Sequence, residues 1–285
     1  MPPIATSWQC RERVVSLEST VLVGILNVTP DSFSDGGENS TATVAINRAI
    51  EMASEGATII DVGGESTRPG ATRVSAKEQI HRVLPVIEGI RKQSSVLISI
   101  DTTLSEVAAG AIEAGADIIN DVSAGEEDSG IFSLAAQTGA GLVLMHRRLP
   151  PEHDNYADSY DHDPESLDIV QDVLDTLLGQ VTKAMEKGVK RNTIALDPGL
   201  GFGKSVEQNW QIVEQVGRIA SLGYPVFIGA SRKRFIGATE DIQEPKLRDS
   251  ASVQVAKQME AKGAQIFRVH NVPDHARVLQ SHVHK

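Results

Sequence analysis

One repeating unit constrains this chain more than any other feature: a short apolar run rich in β-branched residues, a polar or glycine-rich turn, then a stretch of helical periodicity. The apolar runs are residues 21–28, 58–62, 97–101, 117–121, 141–145, 193–197, 225–229 and 265–269. Between them lie 41–55, 75–91, 104–114, 165–187, 206–218 and 249–262, where apolar residues return every three or four positions, as at Ile80, Val83, Leu84 and Ile87. Gly56, Gly115, Gly139 and Gly263 follow the helical stretches, where glycine accepts the left-handed conformation that ends a helix. Runs without polar alternation are buried on both faces, which requires helices on both sides of a parallel sheet or a closed barrel.

About eight such units in 285 residues predict an α/β fold, a single-domain (β/α)₈ TIM barrel, with a doubly wound open sheet as the alternative. The barrel is favoured because polar residues end almost every run: Asn27, Asp61, Asp101, Asn120 with Asp121, His146, Asp197, Ser231 and His270. A barrel converges these on one rim, whereas an open sheet spreads them along an edge. Residues 1–20 read as an N-terminal extension and 21–281 as the barrel domain. Residues 147–164 form one polar insertion on the rim, read as a solvated acidic loop, although His146, His153 and His162 lie among its aspartates.

A single cysteine, Cys10, excludes a disulfide framework and a cysteine-rich zinc site. It lies before the barrel and away from any base, so it reads as structural or incidental. A formal net charge of −11 disfavours a non-specific grip on nucleic acid or an anionic membrane. No apolar run approaches the roughly 20 residues that span a bilayer, and the N-terminus has no basic region followed by an apolar one. The expectation is a soluble, cytoplasmic protein with neither nucleic acid nor membrane as a partner.

Two loops are too long and too polar to be simple turns: Asn27-Val28-Thr29-Pro30-Asp31-Ser32-Phe33-Ser34-Asp35-Gly36-Gly37 and Gly63-Gly64-Glu65-Ser66-Thr67-Arg68-Pro69-Gly70-Ala71. With Ser99-Ile100-Asp101-Thr102, Ile118-Ile119-Asn120-Asp121-Val122, Asp197-Pro198-Gly199-Leu200-Gly201-Phe202-Gly203-Lys204, Ser231-Arg232-Lys233 and Arg268-Val269-His270, they resemble the dihydropteroate synthase family of pterin-binding barrels. The resemblance covers residues 21 to 278 in the family's order. It implies condensation of 6-hydroxymethyl-7,8-dihydropterin pyrophosphate with para-aminobenzoate, releasing pyrophosphate and forming 7,8-dihydropteroate in folate biosynthesis. Departure of pyrophosphate leads that substitution, because the pterin nitrogens spread positive charge from the methylene.

The resemblance assigns the pterin to Asp101, Asn120, Met145, Asp197, Phe202 and Lys233. A carboxylate accepts from adjacent N–H groups of an aminopyrimidinone edge, and Asn and Lys donate to its acceptors. It assigns pyrophosphate to Asn27, Arg68, Arg268 and His270, with Mg²⁺ held by Asn27 and the leaving group's oxygens, since Mg²⁺ prefers hard oxygen ligands. Para-aminobenzoate falls to Thr67, Pro69, Phe202, Lys233 and Arg234, and catalytic roles to Asp35, Lys233 and Arg268. Asp31 is the nearby alternative to Asp35. The resemblance further implies a homodimer through outer helices near the C-terminus, and sulfonamide inhibition.

Two positions depart from the family pattern. Arg234 stands where a small hydroxyl residue receives the benzoate carboxylate, and Met145-His146 continues into Arg147-Arg148-Leu149-Pro150-Pro151. Two other readings stay open at this point: a methyltetrahydrofolate-dependent methyltransferase barrel, which has no use for the two loops, and a non-catalytic pterin-binding paralogue.

Overall fold

The computed structural model describes residues 4–28, 38–160 and 164–279, and all eight apolar runs within them form parallel strands. An antiparallel hairpin, β1 (Ser7–Cys10) and β2 (Arg13–Ser16), precedes them. The parallel strands are β3 (Val21–Asn27), β4 (Ile59–Gly63), β5 (Leu97–Asp101), β6 (Ile118–Asp121), β7 (Gly141–Met145), β8 (Ile194–Asp197), β9 (Phe227–Ile228) and β10 (Ile266–Val269). Their order is β8-β7-β6-β5-β4-β3-β10-β9. The two ends meet: the Leu196 N–H donates to the Pro225 carbonyl at 2.8 Å and Leu196 bridges to Val226, closing the ring. The open sheet is thereby set aside.

Register carries the strand-end residues to one level. Gly63 is paired with Asn27 on one side and Asp101 on the other, Asp101 with Asn120, and Met145 with Asp197. Because side chains alternate along a strand, residues two apart share the barrel interior, and that parity runs from the floor up to the polar rim.

Residues 4–20 make the floor. Trp8, Cys10, Val15 and Leu17 pack against inward residues of the barrel strands, among them Val143 and, at strand N-terminal ends, Ile59, Ile118 and Ile266. Trp8 is fully buried, and its indole N–H donates to the Thr193 carbonyl at 2.8 Å. The hairpin was not foreseen, since two four-residue strands are too short to show a period. Cys10 packs so tightly that a Cβ added at Gly141 would come within 2.7 Å of its sulfur. Burial, and secondarily Asp117, pushes its thiol pKa up, which makes it a floor residue and not a nucleophile.

The outer helices are α1 (Glu38–Ser54), α2 (Ala76–Gln93), α3 (Ser105–Glu113), α4 (Gly130–Thr138), α5 (Ile169–Glu186), α6 (Val206–Ala220), α7 (Arg234–Glu240), α8 (Asp249–Glu260) and α9 (Val272–Leu279). Helices α4, α7 and α9, of nine, seven and eight residues, were not among the stretches read from periodicity. Helix α5 begins later than 165, where the Asp168 carboxylate accepts from the Val170 and Gln171 N–H groups at 3.0 Å. Ser205 and Gln208 form a reciprocal capping box at the start of α6. Ser205→Ala is expected to cost about 1 kcal/mol, read as a lower urea midpoint with unchanged slope; an unchanged midpoint would show that packing alone holds this helix start. No helix among the described residues is long and apolar enough to cross a membrane.

Candidate active site

The centre of the rim is an ion cluster. Asp61, in the middle of β4 and fully buried, accepts from Arg268 Nε at 2.6 Å and from Asn120 Nδ2 at 3.1 Å through its Oδ2. A second nitrogen of Arg268 donates to Asp101 Oδ2 at 2.8 Å. Two buried carboxylates therefore share one guanidinium. Burial raises the Asp101 pKa to about 7; Arg268 opposes that rise and Asp61 adds to it. The Oδ1 atoms of both acids have no hydrogen-bond partner within the described structure, so acceptor capacity is left over.

Beside this cluster lies a wall with an apolar face. Met145, Phe202 and Val122 form one small cluster, and Lys233 Nζ stands 3.9 Å above the Phe202 ring. Asp197 closes β8, and its Oδ1 accepts from the Gly199 N–H at 2.7 Å. Burial raises the Asp197 pKa to about 6, with the Gly199 bond and Lys233 opposing. Burial likewise lowers Lys233 to about 8, helped by Arg268 and opposed by Asp197. Gly201 has φ +78°, and a Cβ there would meet the Lys233 side chain at 3.0 Å, so backbone conformation and close approach both call for glycine.

The third part is cationic. His270 Nδ1 lies 3.0 Å from Ser231 Oγ, which also accepts the His270 backbone N–H at 3.2 Å. Burial, then Arg232, Arg268 and Arg68, lowers the His270 pKa to about 3, so the ring is neutral. Arg68 is exposed on its loop, with Thr67 and Pro69 half-buried beside it. Asn27 is half-buried at the end of β3, its Oδ1 lying over Gly63 next to Asp101. Asp35 and Asp31 lie outside the described residues.

The structure corrects the reading of 147–164 as a solvated loop. Asp154 is buried: it accepts from the Gly203 N–H at 3.0 Å, the Tyr160 hydroxyl at 2.7 Å and the Asn155 N–H at 2.8 Å. The Pro151 carbonyl receives the Gly70 N–H at 2.8 Å, tying this loop to the second rim loop. A carboxylate facing three donors loses less by leaving water than its charge suggests. Arg147, also buried, pairs with Glu127, which Arg73 shares. Arg234 reaches Asp158 and Gln243, each at 3.3 Å, and its guanidinium lies 4.9 Å from the Tyr156 ring centre. Its charge is thus engaged by the same loop. Among the described residues no three acidic, histidine or cysteine side chains cluster as a metal site; His162 lies outside them.

Asp61, Val122 and Ser231 were missed as site members. Asp61 had a signal: a lone charge between Ile60 and Val62 in a strand buried throughout has to find a partner. Ser231 ends a run and Val122 stands inside a motif, but neither residue type by itself indicates a role there.

The chain matches the model of a family described as "Pterin binding enzyme" over residues 23–270. It is 45% identical over 255 residues to a dihydropteroate synthase of Streptococcus pyogenes serotype M3, covering 89% of this chain and 91% of the relative. Two solved structures of Xanthomonas albilineans dihydropteroate synthase superpose closely. The one with 4-aminobenzoic acid has a TM-score of 0.87 and 38% identity, covering 97% of this chain and 96% of that one. The one in complex with 7,8-dihydropteroate has a TM-score of 0.84 and 35% identity, covering 96% of each. A barrel whose rim carries Asp61, Asp101, Asn120, Asp197, Lys233, Arg268 and His270, with this likeness along nearly its whole length, belongs to the pterin binding enzyme family and, within it, to the dihydropteroate synthases.

Proposed function

We propose that this rim joins 6-hydroxymethyl-7,8-dihydropterin pyrophosphate to para-aminobenzoate, forming 7,8-dihydropteroate for folate biosynthesis. The observation that carries the reading is the convergence of Asp101, Asn120, Asp197 and Lys233 beside the Met145–Phe202 wall. A flat heterocycle with an amide-like edge needs that combination of acceptors, donors and apolar face. In the reaction the aniline nitrogen bonds to the pterin methylene, the bond from that carbon to pyrophosphate oxygen breaks, and the aniline nitrogen loses a proton. A methyltransferase barrel has no need of an anion site, whereas Arg68 and Arg268 act together on His270.

Each group has a task in this reading. Asp197, Asp101 and Asn120 orient the pterin, Lys233 over Phe202 donates to its carbonyl, and Arg68, Arg268 and His270 hold the leaving pyrophosphate. His270 serves as a neutral hydrogen-bond group, its charge suppressed by burial among arginines. Thr67, Pro69, Phe202 and Lys233 line the benzoate side, and Asp35 acts from the first loop. Asn27 offers one neutral oxygen, a donor set too small for a resident cation but suited to a Mg²⁺ that arrives on pyrophosphate oxygens. Asn27 would hold that ion, which neutralises charge on the leaving group when bound. The chain works as a cytoplasmic homodimer with small-molecule partners only.

Incubating the protein with the dihydropterin pyrophosphate, para-aminobenzoate and Mg²⁺ should release pyrophosphate and 7,8-dihydropteroate in equal amounts. Pterin binding without turnover would instead support a non-catalytic paralogue. Arg234 supplies a further test. A guanidinium drawn from Asp158 pairs better with a flat carboxylate than with a tetrahedral sulfonyl group. Arg234→Ser should lower the ratio of sulfonamide Ki to para-aminobenzoate KM by about tenfold, or about 1.4 kcal/mol. An unchanged ratio would leave Arg234 as a strut of the 147–164 loop alone.

A further inference from the structure

Lys204 is 1% exposed, and no step of the reaction above uses it. Its ammonium donates to the carbonyls of Gly199 at 2.8 Å, Phe202 at 2.9 Å and His146 at 3.3 Å. An ammonium has three hydrogens, and all three are committed. The acceptors belong to two neighbouring loops, one following β7 and one following β8, and each lies on, next to or hydrogen-bonded to a residue of the pterin site. Gly199, held by its carbonyl, turns its own N–H onto Asp197. Phe202 carries the ring beneath Lys233, and His146 follows Met145. The two loops touch so closely that a Cβ on Gly199 would fall 1.8 Å from the His146 carbonyl oxygen, and Gly199 has φ +66°. One ammonium bonding the His146 and Gly199 carbonyls ties the two loops together at this contact.

We propose that Lys204 is the positioning residue of the pterin site, a buried cation that locks the loops after β7 and β8 so that Asp197, Phe202 and Met145 face the heterocycle together. The charge is expensive to bury, which burial's downward pull on its pKa to about 7 reflects. Three carbonyls replace its water, and Asp197 and Asp154 favour the charge while Arg148 and Lys233 oppose it. A methionine of similar length fills the same space but leaves the buried Phe202 and His146 carbonyls without a donor, and Gly199 with only the Phe202 N–H at 3.2 Å.

The inference rests on the assignment of the pterin to this wall, and the experiment separates the two. Calorimetry is run on the full chain with 6-hydroxymethylpterin and, separately, with inorganic pyrophosphate, for wild type, Asp197→Asn, Lys204→Met and Lys204→Arg. If Asp197→Asn leaves pterin affinity intact, the pterin assignment itself fails. If it weakens binding, Lys204→Met is expected to raise the pterin Kd at least about tenfold while the pyrophosphate Kd stays within about twofold. Lys204→Arg, which keeps charge and donors, should stay within about threefold of wild type. Wild-type pterin affinity in Lys204→Met overturns the proposal. Equal weakening toward both ligands, or loss of a cooperative melting transition in both variants, assigns Lys204 to the general fold and also overturns it. Arginine failing as badly as methionine does so too, because charge and donors are what the proposal rests on.

Discussion

Arg268→Met should cost about 3–5 kcal/mol of stability near pH 8, because it leaves Asp61 and Asp101 buried without their shared cation. In the native protein Arg268 bonds both, at 2.6 and 2.8 Å. The pH dependence identifies the cause. Burial already raises Asp101 above the ordinary value of 3.8 to about 7, and removing the guanidinium raises it further. A carboxyl whose folded-state pKa exceeds its unfolded value binds its proton more tightly when folded. Its stabilising contribution is full below the unfolded value and is lost as pH rises through the folded one. The deficit of the variant relative to wild type should therefore be largest at pH 8 and shrink toward pH 5. Urea unfolding at both pH values measures it. An equal deficit at the two would mean that lost packing, not two stranded carboxylates, is the cause. Turnover should fall below detection at either pH, since the same side chain faces the proposed pyrophosphate site.

Asp197→Asn has the second largest expected effect. In the proposed site Asp197 accepts N–H groups of the pterin edge, and each charge-assisted bond lost is worth about 1.5–3 kcal/mol, roughly 10- to 150-fold in Kd. Asparagine keeps the shape and one acceptor but loses the charge. In wild type the Asp197 pKa is raised to about 6 by burial, so pterin affinity should weaken as pH falls through that value and the carboxylate takes up a proton. In the variant that part of the decline should be gone, leaving the part due to Asp101, which titrates nearer 7. Calorimetry with a pterin from pH 5 to 8 reads both. A variant with unchanged affinity and an unchanged pH profile would remove Asp197 from the pterin edge.

The eight barrel strands were legible in the chain because a strand buried on both faces reads as a mostly apolar run, as 21–26 and 141–145 do. The rim was legible too, since almost every run ends in a polar residue or is closely followed by one, and ring closure brings such ends to one rim. Contacts between distant segments were not legible. Asp61 and Arg268 are 207 positions apart, and nothing near either residue specifies the other. Their pairing follows only once β10 lies beside β3, and β3 beside β4. The burial of Asp154, the engagement of Arg234 by Asp158 and the neutrality of His270 belong to the same class. Each depends on which groups from remote segments face a side chain after water has been removed. Local sequence determines period, turn and the kind of chemistry present. Tertiary structure alone decides which charges are desolvated, which partners neutralise them and what protonation state they hold.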